Sequence, residues 1–182
     1  MRQTAYTTAM RRITMRDFRW MGRPLVWEKD YRSVKLEVQA HMGLPYGPLL
    51  LAVSDESFDF EATVNVPQKG GFAGLCVYHL DSTYAAVGLN REAMEIHTTI
   101  AGSHNRSIIA RTFECEEVTW LLRRSLSHLD IGYRRGEDDA IWVSSFQLPG
   151  LEKSISFGPY FANETDHPMP GWMHSIRYSK ES

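Results

Sequence analysis

The sequence predicts an all-β fold, built as a sandwich or a barrel. Phe58 to Val66 reads F-D-F-E-A-T-V-N-V, with an apolar residue at every even position and a polar residue at every odd position. Turn residues separate this run from others like it, and no segment keeps a 3.6-residue apolar period over several helical turns. Short strands at regular spacing with turns between them are typical of a sandwich or barrel.

The alternation from Phe58 to Val66 also predicts which side chains are buried. A strand with one buried face cannot slip by one residue without turning its whole apolar set to water. We therefore expect burial of the apolar positions Phe58, Phe60, Val64 and Val66. We expect the polar positions Asp59, Glu61 and Asn65 to remain outside the core.

Other segments show the same period or a strand-like apolar content. Ser33 to Ala40 and Leu129 to Tyr133 alternate clearly. Further strands are predicted at Leu49 to Val53, Phe72 to Leu80, Tyr84 to Asn90, Met94 to Ile100, Ile108 to Phe113, Val118 to Arg124, Ala140 to Phe146, Ser154 to Tyr160 and Trp172 to Tyr178. Turns are predicted at Gly43 to Pro45, Pro67 to Gly71, Gly102 to Asn105, Gly136 to Asp139, Pro149 to Gly150 and Pro168 to Gly171.

Length and charge limit the domain organisation and the classes of partner. A chain of 182 residues can form one core, and no linker or repeat marks a second domain. We predict a single domain over residues 18–182, preceded by residues 1–17 as a loosely ordered arm or an edge strand. The net charge of -2 supplies no positive field for nucleic acid or an anionic membrane, so neither partner is expected. The basic start has no apolar core of a signal peptide, which predicts a cytoplasmic location.

The two cysteines are predicted to be free. Cys76 and Cys115 lie far apart in the sequence, and each falls in an apolar or strand-like run without a C-x-x-C partner. Buried thiols are favoured over a disulfide.

The order of the segments resembles a known family. The phrases that carry the resemblance are F-R-W-M-G-R-P-L-V-W-E (18–28), S-V-K-L-E-V-Q-A (33–40), F-A-G-L-C-V-Y-H-L-D-S-T-Y-A-A-V-G-L (72–89), Trp120-Leu121, I-G-Y-R-R-G-E-D-D-A-I-W (131–142) and I-S-F-G-P-Y-F-A-N (155–163). They are similar to the concanavalin-A-like family that includes the yeast regulator-of-enolase protein. The chain is also similar to the C-terminal sandwich of bacterial β-xylosidases.

This resemblance implies a two-sheet antiparallel jelly-roll sandwich but no settled activity. Many members carry a long aromatic loop between their second and third strands. Here that loop is reduced to H-M-G-L-P-Y-G-P over residues 41–48, so the outer face of the curved sheet is expected to be open.

The sequence predicts no catalytic residue, no metal site and no cofactor. Glycosidases on such folds use two carboxylates on one strand face, and the nearest match, Glu114 with Glu116, is predicted to lie at a strand end as a solvated turn. Glu137-Asp138-Asp139 is interpreted as a polar hairpin tip. The histidines lack metal-ligand spacing, and no phosphate-binding loop or nucleophile elbow is present.

We predict that Trp120 and Trp142 lie in the core, where replacing either with Ala costs roughly 3–5 kcal/mol. A sugar needs an aromatic surface for its apolar ring face and polar groups for its hydroxyls. If Ile96 and Ile100 face the core, then Glu95, His97 and Thr99 face outward. The predicted ligand contacts on the concave face are Tyr78, Asn90, His97 and Arg123.

Three functions follow as hypotheses. The first is a non-catalytic, lectin-like module that binds a carbohydrate or a sugar phosphate on its concave sheet face. The second is an intracellular protein-interaction or regulatory domain of the enolase-regulator type, with a protein partner. The third is a small glycoside hydrolase.

Overall fold

The computed structural model describes residues 12–125, 128–150 and 153–180. Within them the chain forms strands throughout and only one short helical turn, a 3-10 helix at Met15–Asp17. The strands are β1 (Arg19–Met21), β2 (Val26–Lys29), β3 (Ser33–Val38), β4 (Leu49–Ser54), β5 (Phe58–Asn65), β6 (Gly71–Leu80), β7 (Thr83–Leu89), β8 (Ala93–Ile100), β9 (Ser103–Ala110), β10 (Glu117–Arg124), β11 (Leu129–Arg134), β12 (Ile141–Phe146), β13 (Ile155–Asn163) and β14 (Met169–Lys180).

The strands pair into two seven-stranded antiparallel sheets. Sheet A has the order β1-β4-β13-β6-β7-β8-β9, and sheet B has the order β12-β11-β10-β5-β14-β3-β2. The predicted all-β, two-sheet sandwich is confirmed. No helix in the described ranges is long and apolar enough to span a membrane.

One apolar core fills the space between the sheets. Most strands supply residues to it, among them Phe58 and Phe60 from β5, Trp120 from β10 and Phe157 from β13. Rings of Phe58 and Phe157 lie 4.5 Å apart between centroids and join the two sheets. The core also includes Met15, so the sandwich begins packing before its first strand.

The burial pattern of β5 agrees with the prediction for every named residue except Asn65. Thr63, which that prediction does not include, is buried as well. Phe58, Phe60, Val64 and Val66 are buried, and Asp59 and Glu61 are only half-buried. Asn65, expected outside, is 2% exposed. Its side-chain oxygen accepts from the Trp172 backbone N–H at 2.9 Å, and its amide nitrogen lies 3.3 Å from the Pro170 carbonyl oxygen, so β14 covers it.

The predicted turn at Gly102 to Asn105 is shorter than expected. Ala101 and Gly102 alone form it, with φ values of 48° and 80°. Two consecutive positive φ values are the signature of a type I′ hairpin turn. The next strand therefore starts at Ser103 instead of Ile108.

The placement of Trp142 in the core is wrong, whereas that of Trp120 is confirmed. Trp120 is fully buried, but Trp142 is 44% exposed. Trp142 lies on the outer face of sheet B, where the Arg123 guanidinium carbon is 5.0 Å from the centre of its ring. Its neighbour on β11 is Gly132, where a Cβ would lie 2.9 Å from the indole Cε3.

Both cysteines are free, as predicted. Cys76 is buried, and burial raises the pKa of its thiol far above the ordinary range. Cys115 is half-buried, and burial raises the pKa of its thiol as well.

Candidate functional site

The outer face of sheet A carries a second apolar cluster, separate from the core between the sheets. We call it the outer cluster; its buried members are Leu49, Leu51, Phe72, Cys76, Tyr84, Ala86, Tyr160 and Ala162. Leu44, from the loop before β4, packs against this cluster. Sheet A is therefore buried on both faces over much of its width, which is why all seven residues of β7 are buried.

Tyr160 crosses this face along a single row of paired residues. Tyr160 on β13 is opposite Gly74 on β6, Gly74 is opposite Gly88 on β7, and Gly88 is opposite Glu95 on β8. The Tyr160 hydroxyl donates to Glu95 Oε1 at 2.8 Å. A Cβ on Gly88 would lie 2.0 Å from the Tyr160 hydroxyl oxygen, so a glycine is required there. Gly88 thus leaves room for the Tyr160 ring to reach β8.

Glu95 is the centre of a buried polar network on the same face. Its side chain is 1% exposed and accepts hydrogen bonds at both oxygens. Arg106 Nε and Nη2 lie 3.0 Å and 2.8 Å from Oε2, and His97 Nε2 lies 2.8 Å from the same atom. Arg106 also pairs with Glu164. We call Glu95, His97, Arg106 and Tyr160 the Glu95 network.

The network keeps Glu95 ionised. Burial acts to raise the pKa of Glu95, but the hydrogen bonds from His97, Arg106 and Tyr160 outweigh it and hold the pKa below its ordinary value. Burial and the neighbouring Glu95 charge raise the pKa of Tyr160, so its hydroxyl stays protonated and donates. A carboxylate with a lowered pKa is a fixed anchor and is poorly suited to act as a general acid.

An open hollow lies beside the network on the outer face of sheet A. We call it the Tyr46 hollow; it measures about 430 Å³ and is lined by Leu44, Pro45, Tyr46, Asp81, Ser82, Tyr84, Thr99, Gly102 and His104. Tyr46 is 78% exposed. His104 Nδ1 lies 2.8 Å from Thr99 Oγ1, and the His104 ring lies 5.5 Å from that of His97 between centroids. The buried network thus adjoins the polar floor of the hollow.

Tyr78 and His97, two of the predicted ligand contacts, share this face. Tyr78 is half-buried, stacks on Tyr84 at 6.3 Å between ring centroids, and donates to Asp81 Oδ1. His97 is 7% exposed and belongs to the Glu95 network. Both residues support the lining of the hollow through neighbouring side chains.

The other two predicted contacts lie elsewhere. Asn90 is buried, and its side-chain oxygen accepts from the backbone N–H groups of Glu92 and Ala93, so it fixes the turn between β7 and β8. Arg123 lies on the outer face of sheet B, where it donates to Asp59 Oδ1 at 3.0 Å. His97 and Arg123 therefore face opposite surfaces of the sandwich, and the prediction that they share one hollow is wrong.

Sequence reasoning missed the hollow itself. Tyr46 lies in the short loop at residues 41–48, between Pro45 and Gly47, and this exposed aromatic residue was the available signal for a binding surface. The turn predicted at Gly102 to Asn105 includes His104, which the structure places in β9. Its alternation with Arg106 along a strand, opposite Thr99 and His97, was the available signal.

The acidic clusters considered in the sequence are solvated, as expected. Glu114 and Glu116 are exposed in the segment before β10, and Glu137, Asp138 and Asp139 are exposed between β11 and β12. Among the described residues, no group of three or more His, Cys, Asp or Glu side chains is arranged to hold a metal ion.

Comparison with solved structures shows the fold. A functionally unknown protein from Saccharomyces cerevisiae is 13% identical and aligns over 93% of this chain and 100% of its own, with a TM-score of 0.78. A GH43 protein from Bacillus licheniformis is 11% identical over 94% of this chain, with a TM-score of 0.74. A xylan beta-1,4-xylosidase from Bacillus halodurans is 14% identical over 86% of this chain, with a TM-score of 0.60.

The chain spans 38% of the length of each of these two bacterial proteins. No family model matches the sequence, and no curated protein matches it. At such low identity the likeness concerns architecture alone. The chain shares its β-sandwich with the yeast protein and with one part of the GH43 proteins.

Proposed function

We propose that this chain is a non-catalytic carbohydrate-binding module and that the Tyr46 hollow on the outer face of sheet A holds the sugar. The observation that carries the proposal is the combination of an exposed Tyr46 with the polar groups of Thr99, His104 and Asp81 around one open hollow. Sugar rings offer an apolar face for aromatic stacking and hydroxyls for hydrogen bonding, so both kinds of group are needed.

The polar groups of the hollow are held in position from below. Thr99 and His104 contact each other across β8 and β9, and His104 lies beside His97 of the Glu95 network. Arg106, two residues along β9, is tied to Glu95 and Glu164. A rigid floor reduces the entropy lost when a ligand binds, which supports recognition by a small number of contacts.

The charge of the hollow favours a neutral sugar over a sugar phosphate. Among the described residues that line the hollow, Asp81 is the only carboxylate and none is a lysine or an arginine. A phosphate group would need positive charge or several N–H donors there. The similarity in fold to part of a xylan beta-1,4-xylosidase makes neutral xylo-oligosaccharides the first ligands to test.

The test is titration calorimetry of the full chain with xylotetraose and a panel of other neutral oligosaccharides. We expect Tyr46→Ala to weaken binding by about 5- to 30-fold, the effect of losing roughly 1–2 kcal/mol of stacking and apolar contact. Tyr31→Ala is the matched control, because Tyr31 is 68% exposed and lies on the other side of the sandwich, before β3. Absence of binding to every sugar, or equal effects of both variants, would contradict the proposal.

The glycoside hydrolase alternative has less support. Glu114 and Glu116 lie exposed outside the strands. Both carboxylate oxygens of Glu95 are engaged in hydrogen bonds with His97, Arg106 and Tyr160. The protein-interaction alternative has one specific observation in its favour, the exposed edge of sheet A at β9.

A further inference from the structure

Strand β9 differs from the other sheet edges. All eight of its residues, Ser103–Ala110, are exposed, and among the described residues it pairs with β8 alone. The other edge strands are shorter: β1 has three residues, β2 has four, and β12 has six beside a register shift in β11. Short strands, bulges, prolines and charged side chains protect sheet edges. Strand β9 has no bulge, proline or lysine, and its one arginine, Arg106, is paired with Glu95 and Glu164.

The free backbone groups of β9 can be assigned from one hydrogen bond. The Arg111 N–H, next to the strand end, donates to the Glu92 carbonyl at 2.9 Å, so it faces β8. Backbone groups alternate in direction along an antiparallel strand. Those of His104, Arg106, Ile108 and Ala110 therefore face away from β8 and are available to a further strand.

Two isoleucines lie on this edge, one on each face. Ile108 is opposite Glu95 on the outer face and is 55% exposed, and Ile109 is opposite Met94 on the inner face and is 49% exposed. Ile100, at the end of β8, is 39% exposed as well. Exposed apolar side chains on both faces of an open edge are what a pairing strand would cover.

We propose that β9 pairs with β9 of a second copy of this chain, antiparallel about a two-fold axis at Ile108, so that the two A sheets join into one. The occupant is a second copy because the strand is complementary to itself in this register. Ile108 meets the partner's Ile108, Arg106 meets the partner's Ala110, and all of these residues have backbone groups that face outward.

Side-chain matching selects this register over two others that also align the outward-facing backbone groups. A two-fold axis at Ser107 would set the exposed Ile108 opposite the charged Arg106. A two-fold axis at Arg106 would set two arginines directly opposite each other, and like charges across a strand pair are destabilising. With the axis at Ile108, the two Arg106 side chains lie on opposite sides of it, and each keeps its bonds to Glu95 and Glu164. One strand pair buries less than a standard interface, so the dimer is weak and depends on concentration. This inference stands apart from the sugar proposal.

The first experiment is sedimentation equilibrium of the full chain from about 10 µM to about 1 mM, the range in which weak complexes dissociate. We expect the wild type to approach a dimer over this range and Ile108→Lys to raise the dissociation constant by about 10-fold or more, through lost apolar contact and like charges at the axis. Leu25→Lys is the control, because Leu25 is 83% exposed and lies before β2 in sheet B. It should leave the dimer unchanged.

The second experiment tests the axis. Ile108→Glu alone should also be monomeric, whereas a mixture of Ile108→Lys and Ile108→Glu should form a heterodimer detectable by native mass spectrometry. A wild-type chain that stays monomeric at 1 mM, or a dimer that Ile108→Lys leaves intact, overturns the proposal, as does a mixture that fails to associate. If an Ile108 variant fails to fold, Ile109→Lys replaces Ile108→Lys in the first experiment, and the loss of its exposed apolar side chain should raise the dissociation constant. An Ile109→Lys variant that dimerises as tightly as the wild type then overturns the proposal.

Discussion

Each outer face of the sandwich carries an aromatic ring that lies over a glycine, yet only one of the two rings is buried. On sheet A, Tyr160 passes over Gly88 and reaches the buried Glu95. On sheet B, Trp142 lies over Gly132 and contacts Arg123, and it remains 44% exposed. Both faces therefore place an aromatic ring over a glycine, but only the ring on sheet A is covered by neighbouring residues.

The charged pairs of the two faces differ in the same way. On sheet A, Glu95 is 1% exposed and its partner Arg106 is 31% exposed. On sheet B, Glu61 pairs with Arg134 at 2.9 Å and Arg177 at 3.9 Å, and its side chain is 22% exposed. Exposed pairs contribute little to stability, whereas a buried charge that loses its partner costs much more. The outer face of sheet A is therefore built like an interior, and that of sheet B like a surface.

Replacing the charged carboxylate on each face, Glu95 on sheet A and Glu61 on sheet B, should give the largest difference in the free energy of unfolding. We expect Glu95→Gln to lower the free energy of unfolding by about 3 kcal/mol, because Arg106, His97 and Tyr160 lose an ionised acceptor. Its matched control, Glu61→Gln, should cost at most about 1 kcal/mol. Urea unfolding of both variants measures the difference, and equal losses would show that burial does not separate the two faces.

Low pH should reduce the stability that the ionised Glu95 contributes, and with it the difference between the two faces. The pKa of Glu95 in the folded chain lies below its ordinary value of 4.5, so the ionised form stabilises the fold fully above about pH 4.5. This contribution falls as the pH drops through the native pKa. The gap in unfolding free energy between wild type and Glu95→Gln should therefore shrink below pH 4.5. A gap that widened in acid would mean that the pKa of Glu95 is raised.

The smallest effect is expected at Trp142. Because the ring is 44% exposed and covers Gly132 from outside, Trp142→Ala should cost about 1 kcal/mol, less than the roughly 3–5 kcal/mol expected for a core tryptophan such as Trp120. Thermal unfolding of the two alanine variants compares them. Equal losses would indicate that the sheet B face packs as tightly as the core.

The sequence predicted which face of a strand a side chain lies on better than it predicted which strands lie side by side. The alternation along β8 predicted that His97 faces outward, and it does. The run W-L-L-R-R around Arg123 has no such alternation, and no alternation shows which sheet a strand joins. The burial of Asn65 depends on backbone groups of Pro170 and Trp172, more than a hundred residues away. The burial of Glu95 likewise depends on Tyr160 from a distant strand. Only the tertiary pairing brings such groups together.

The outer cluster on sheet A was not predicted from the sequence, although β7 carried a signal for it. Strand β7, T-Y-A-A-V-G-L, shows no alternation between apolar and polar residues because both its faces are covered. A continuous apolar strand in an otherwise alternating sandwich was the signal that one sheet has two buried faces. The small residues in it, Ala86 and Gly88, marked where another side chain lies.

The row from Tyr160 to Glu95 also has a consequence for how relatives of this chain can vary. Any side chain at position 88 would collide with the Tyr160 hydroxyl, and without that hydroxyl Glu95 would lose a donor at Oε1. Positions 88, 95 and 160 are therefore expected to change together or not at all during divergence. These positions lie on three different strands, and only the pairing of the strands in sheet A brings them into one row.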